Sequence, residues 1–180
     1  MQNKSYHAST LDQIISLAED SSKLQRSNIT IENMTIDSNA LPYFDQIFVP
    51  GRPSSLHINN CSIIDEDAQL ISSITSWSCK IGTDLSITNC NLTPTQGFYI
   101  IESISEGIMI KIDLSNNKLS GENKELFLDT IARKINYGFF FISSLNISGN
   151  GFTKEDISYF YRKTDSTFQK ETIIFENSSD

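Results

Sequence analysis

Apolar residues return along the chain in short period-2 clusters, and the clusters recur at a long, nearly constant interval. Five segments align: Ile29-Thr-Ile-Glu-Asn-Met-Thr-Ile36, Leu56-His-Ile-Asn-Asn-Cys-Ser-Ile63, Leu85-Ser-Ile-Thr-Asn-Cys-Asn-Leu92, Ile112-Asp-Leu-Ser-Asn-Asn-Lys-Leu119 and Leu145-Asn-Ile-Ser-Gly-Asn-Gly-Phe152. All follow L-x-L-x-x-[N/C]-x-L, with Met34 the one departure at the sixth position. The starts at 29, 56, 85, 112 and 145 are separated by 27, 29, 27 and 33 residues, and Ile173-Ile174-Phe175 opens a sixth cluster 28 residues later. At a frequency of roughly 0.3 for these residue types, filling every apolar position of the template by accident has odds on the order of one in a hundred million. The alternation predicts a short strand at each cluster, apolar side chains on one face and polar ones on the other.

Between clusters the spacing becomes helical. Leu70 with Ile74, Ile100 with Ile104, Phe127 with Ile131, and Ile157 with Phe160 and Tyr161 each recur at three or four residues, one stripe of a helix. Thr93-Pro94 reads as an N-cap followed by Pro at the first helical position, Thr153 with Asp156 as a capping box, and Asp65-Glu66-Asp67 as acid at a helix start. At the front, Ser9-Thr10 precedes Leu11, Ile14, Ile15 and Ala18, so residues 1–28 are expected to form a capping helix region preceded by a frayed start. Residues 29–180 carry the repeats, and the whole is expected to fold as one cooperative domain. Irregularity is expected at Tyr137 to Ile142, an insertion in the longest step, and at Val49-Pro50-Gly51-Arg52-Pro53, a loop in place of a full helix.

On these aligned residues the sequence resembles the leucine-rich-repeat family in its ribonuclease-inhibitor-like form, over about residues 29 to 176. The resemblance implies an α/β solenoid with a curved parallel sheet on its concave face, helices on its convex face and five to six repeats. In such a repeat the Cys or Asn after the strand turns inward, where its polar atoms satisfy backbone groups that the turn removes from the strand ladder. Cys61, Cys90, Asn117 and Asn150 hold that place, while Met34 has no donor to offer and marks the first unit as atypical. Some proteins of this repeat type activate small GTPases. The abundance of Ile, Asn, Ser and Lys also resembles the repeat proteins that intracellular bacteria deliver into host cells. The expected setting is therefore the cytoplasm or a host cell reached without a cleaved signal peptide.

Charge narrows the partners. The chain of 180 residues has 14 basic and 22 acidic side chains, a net of 14 − 22 = −8. Residues 1–110 hold 5 − 12 = −7 of it and residues 111–180 hold 9 − 10 = −1. That sign argues against nucleic acid and against an anionic membrane surface. Cys61, Cys79 and Cys90 are odd in number and fit neither a disulfide framework nor zinc-ligand spacing. No cofactor, metal or small-molecule substrate is implied.

For catalysis the chain offers only two imidazoles, His7 in the frayed start and His57 on a strand beside Ser86 and Thr88. Cys79 next to Lys80 is the thiol outside the repeat positions, and Arg52 stands on the first loop. None completes a nucleophile–base set, and no phosphate-binding glycine motif occurs, so a non-enzymatic protein-binding module is the expected function. Its alternative is a targeting or sensing piece of a larger enzyme or GTPase regulator. The template places Thr30 and Glu32, His57 and Asn59, Ser86 and Thr88, Asp113 and Ser115, and Asn146 and Ser148 on the outward sheet face. Phe139 and Phe140, within a run of three Phe that cannot all point inward from a strand, are candidate aromatic anchors.

Overall fold

The chain is seen in a computed structural model that describes residues 4–64, 68–104, 110–138, 142–164 and 172–175. The strands are β1 (Ser5–Ala8), β2 (Asn28–Glu32), β3 (Thr35–Ile36), β4 (Ser55–Asn59), β5 (Ser62–Ile63), β6 (Asp84–Thr88), β7 (Ile110–Asp113), β8 (Ile142–Asn146) and β9 (Ile173–Ile174). Seven of them form one sheet in the order β1-β2-β4-β6-β7-β8-β9, every pair parallel, and β3 and β5 pair separately. Neighbours in the large sheet are thus neighbours along the chain. Parallel pairing demands a crossover between successive strands, and helices supply it. These are α1 (Leu11–Glu19), α2 (Leu41–Phe48), α3 (Gln69–Ile81), α4 (Pro94–Glu102), α5 (Lys124–Asn136) and α6 (Lys154–Lys163), each packed on the next.

The register repeats the sequence alignment residue for residue. Ile29 opposes Leu56, Leu56 opposes Leu85, Leu85 opposes Ile112, Ile112 opposes Leu145 and Leu145 opposes Ile173. Because a slip of one residue would turn every apolar side chain to water, this register is fixed by the burial of one face. Ile29, Ile31, Leu56, Ile58, Leu85, Ile87, Ile112 and Leu145 are buried, and with Phe44, Phe48, Ile71, Ile100, Phe127, Ile131 and Phe160 from the helices they form one continuous core. One shift interrupts the ladder, between Ile110 and Lys111, where Ser143 is the extra residue opposite and its Oγ donates to Ile110 O at 3.0 Å.

The helix ends follow from their residues. Thr93 and Gln96 form a capping box, Thr153 and Asp156 another, and Thr10 caps α1 by accepting from the N–H of Gln13. Pro94 takes the first helical position of α4, where its missing N–H has no partner to lose. At the other end of α4, the buried ammonium of Lys134 donates to the carbonyls of Glu102 at 2.8 Å and Ile104 at 2.6 Å. Burial holds that ammonium below the usual lysine range.

Three expectations change. The start is a strand: Ser5 to Ala8 pair with Asn28 to Ile31, putting His7 in the sheet opposite Thr30. Tyr6 packs on the core and Ala8 is 1% exposed, so even this short alternation has an apolar face to bury. The first unit has a helix, α2, immediately before the Pro-Gly loop, because Phe44, Ile47 and Phe48 are spaced to bury one stripe. Helix α3 begins at Gln69, and Asp65-Glu66-Asp67 lie outside the described residues, as do Phe139, Phe140 and Phe141.

Candidate binding face

The sheet face turned away from the helices is polar, and the parallel register sorts it into rows. One row runs His7, Thr30, His57, Ser86, Asp113, Asn146, each opposite the next. A second runs Glu32, Asn59, Thr88. A third lies two residues earlier on each strand and escapes the repeat template: Asn28 opposite Ser55, Ser55 opposite Asp84, and Lys111 opposite Ser144. Its signal in the sequence is the period-2 alternation continued backward past the first leucine position. Neighbouring members of a row stand about 4.8 Å apart, the strand spacing.

Ser115 and Ser148, expected on this face, are buried at 7% and 2% exposure. Strands β7 and β8 end at Asp113 and Asn146, and the side-chain oxygens of those residues accept the N–H groups of Ser115 at 2.9 Å and Ser148 at 3.1 Å. A tight turn therefore begins where the alternation was expected to continue. Of the remaining outward positions Ser55 is also buried, and the others are exposed or half-buried.

His57 is exposed, and its Nε2 is 3.0 Å from Ser55 Oγ, which in turn donates to Asn28 Oδ1 at 3.0 Å. Among the described residues no hydrogen bond joins His57 to Ser86; the imidazole is engaged along its own strand by Ser55, whose hydroxyl proton goes to Asn28. A depression of about 260 Å³ opens in the middle of the face, lined by His57, Asp84, Leu85, Ser86, Lys111, Ile112, Asp113, Ser144 and Asn146. Asp84 Oδ1 accepts the backbone N–H of Lys111 at 2.8 Å, tying two strands by a side chain.

Beneath the rim of the sheet runs the predicted ladder. Asn150 Nδ2 donates to Leu114 O and Ile147 O, while its Oδ1 accepts from the N–H groups of Asn117 and Leu119. Asn117 does the same one unit earlier, donating to Ile87 O, Leu114 O and Ser115 O and accepting from Cys90 N and Leu92 N. With thiols the ladder is thinner: Cys90 Sγ accepts from Cys61 N at 3.4 Å and donates to Thr88 O at 3.1 Å, and Cys61 Sγ donates to Asn59 O at 3.4 Å. The Cys90 thiol beside it draws Cys61 below the ordinary thiol range, and Cys61 together with burial pushes Cys90 above it. The two sulfurs titrate as a pair, so deprotonating one opposes deprotonating the other.

The repeat template does not isolate a stripe of residues in the left-handed conformation just before the ladder. Asn33, Asn60, Asn89 and Asn116 have φ of 58°, 52°, 56° and 56°, and Gly149 takes the same place at 67°. Asn tolerates this region better than other side chains, and that is the physical reason for the Asn recurring in the repeats. Asn60 Nδ2 donates to Asn33 Oδ1 within this stripe, and Asn89 Nδ2 to the strand residue Asn59 at its Oδ1, both at 2.8 Å.

The other candidates fall elsewhere. Cys79 is buried in α3, and no cysteine is in a disulfide. Arg52 is exposed with its backbone tied to Phe48 and Arg26. The C-terminal aromatics close the core, with Phe175 in ring contact with Phe152, Phe160 and Tyr161. Among the described residues no group of three or more His, Cys, Asp or Glu side chains is placed to hold a metal ion, and no helix is long and apolar enough to cross a membrane. In comparisons with known proteins, no family model, curated sequence or solved structure matches the chain.

Proposed function

We propose that the chain is a leucine-rich-repeat solenoid whose role is to bind another protein, without catalysis of its own, through the open face of its parallel sheet. The observation that carries this reading is the sheet face itself, six strands wide along the row from His7 to Asn146, which presents polar side chains in fixed register, exposed or half-buried along that row. The strand period supports the repeat assignment, since the first leucine position of each aligned segment opposes its counterpart in the next unit. A scaffold of this kind holds its contact residues on strands, where their spacing changes little on binding. Of the candidate groups for chemistry, His57 is engaged by Ser55 on its own strand and Cys79 is buried in α3.

A photo-reactive phenylalanine analogue placed at Thr88, or in a second variant at Asp129 on the outer surface of α5, separates the faces. The expected result is a partner crosslinked from Thr88 and not from Asp129. Crosslinks confined to Asp129 would overturn the assignment of the face.

A further inference from the structure

We propose that the depression in the open face receives an arginine side chain from a partner protein. This rests on the protein-binding role of the face and adds the chemistry of its central contact. Protein interfaces are anchored by Trp, Tyr and Arg, and the described outward positions of this sheet hold none of them, so the anchor has to come from the other side. The depression is shaped for a cation with several directed N–H groups. Asp84 and Asp113 stand on neighbouring strands, two residues apart along them, which places their Cα atoms about 8 Å from each other given the strand spacing and the rise per residue. Each uses one oxygen to accept a backbone N–H, from Lys111 at 2.8 Å and from Ser115 at 2.9 Å, and that bond fixes the carboxylate. The second oxygen of each has no hydrogen bond or ion pair among the described residues.

A guanidinium presents five donors in a rigid plane and can bridge two carboxylates that an ammonium, a point charge, would meet singly. Ser86, Ser144 and Asn146 offer side-chain oxygens on the same wall for the remaining N–H groups. Lys111 also lines the depression and opposes a cation, but it pairs with neither aspartate, so the three charges sum to −1. The wider field has the right sign, since residues 1–110 carry −7. A second copy of this chain, at −8, is repelled by that same field.

The test is amide chemical-shift titration of the ¹⁵N-labelled full chain with acetyl-Gly-Arg-Gly-amide and with its citrulline counterpart, which keeps the shape and loses the charge. Saturable shifts at Ser86, Ile112 and Asp113 are expected with the arginine peptide alone, at an affinity on the order of 1 mM. Asp84→Asn and Asp113→Asn keep the oxygen that accepts the backbone N–H, so the fold is retained while binding weakens, by about threefold or more each. Lys111→Gln should tighten it about twofold. A structural role alone would not give opposite signs from these substitutions. Equal shifts with citrulline, or affinities indifferent to all three variants, would overturn the inference. Its failure is separable from that of the protein-binding role: a partner crosslinked from Thr88 whose touching segment has no arginine removes this contact and leaves the role standing.

Discussion

At the scale of single residues, the ladder shows how one side chain can decide the fate of several backbone groups. Asn117 satisfies two buried N–H groups and three carbonyls at once. Asn117→Ala removes these bonds, leaving Leu114 O with its bond from Asn150 and stripping Cys90 N, Leu92 N and Ile87 O of their asparagine partner, and a drop in unfolding free energy of about 3–5 kcal/mol is expected in urea denaturation. Cys90→Asn should act in the opposite direction, raising stability by about 1 kcal/mol, because an amide oxygen there can accept from both Cys61 N and Ile63 N as its counterparts do. If the Cys90→Asn change lowered the midpoint instead, the thiols would be preferred for packing rather than tolerated as weak partners. The ladder itself was legible from the Cys or Asn at one place in four of the five aligned units, Met34 standing there in the first. The left-handed asparagines were not, although they sit one residue earlier in four units, because a polar residue in a turn has many explanations and only a backbone angle selects among them. Asp84 and Lys111 were missed for a different reason: the template begins at the first leucine, and the strand begins before it.

At the scale of elements, caps and ion pairs fix how one unit meets the next. Asp156 completes the capping box of α6 and also pairs with Lys124, the first residue of α5, at 2.7 Å. Burial by itself would raise the Asp156 pKa, but the Lys124 ammonium and the Thr153 hydrogen bonds outweigh it and hold the carboxyl below the usual range. The folded value thus lies below the unfolded one, so the unfolded chain binds the proton first as the pH falls. The stabilisation is fully present above about pH 4, the ordinary carboxylate value, and is lost as pH drops through the folded value. Thermal unfolding measured from pH 6 to pH 2 should show a shallower acid limb for Asp156→Asn than for the unaltered chain. Equal slopes would mean that the pair does nothing for folding. The helices were readable where a cap and an apolar stripe coincide, as at Thr93 and Thr153. Helix α2 was hidden because Pro50, Gly51 and Pro53 drew attention to the break that follows it, whereas Phe44, Ile47 and Phe48 form the stripe that precedes the break.

At the scale of the whole molecule, a stack of units buries its interior between neighbours and must protect both ends. The C-terminal end is filled by rings, with Phe175 buried against Phe152, Phe160 and Tyr161 behind the short last strand. At the other end β1 adds a strand outside the first aligned repeat, with Ala8 and Tyr6 lying over Ile31 and Ile29 and α1 packed on α2. The spacing of the repeats did not reveal it, since Ser5 to Ala8 carries no leucine pair and stands only 23 residues before its partner, Asn28 opposite Ser5. Whether this strand shields the stack or merely decorates it is open to a direct measurement. Removing residues 1–8 leaves the Thr10 cap and helix α1 intact but turns β2 into a bare edge and uncovers Ile29 and Ile31 on that side. The expected cost is about 1–3 kcal/mol in denaturant unfolding. Light scattering should also show concentration-dependent self-association, because an unpaired, flat strand with the sequence Asn-Ile-Thr-Ile-Glu is a template for another copy. A truncated chain that kept the original midpoint and remained monomeric would show that α1 alone closes the stack.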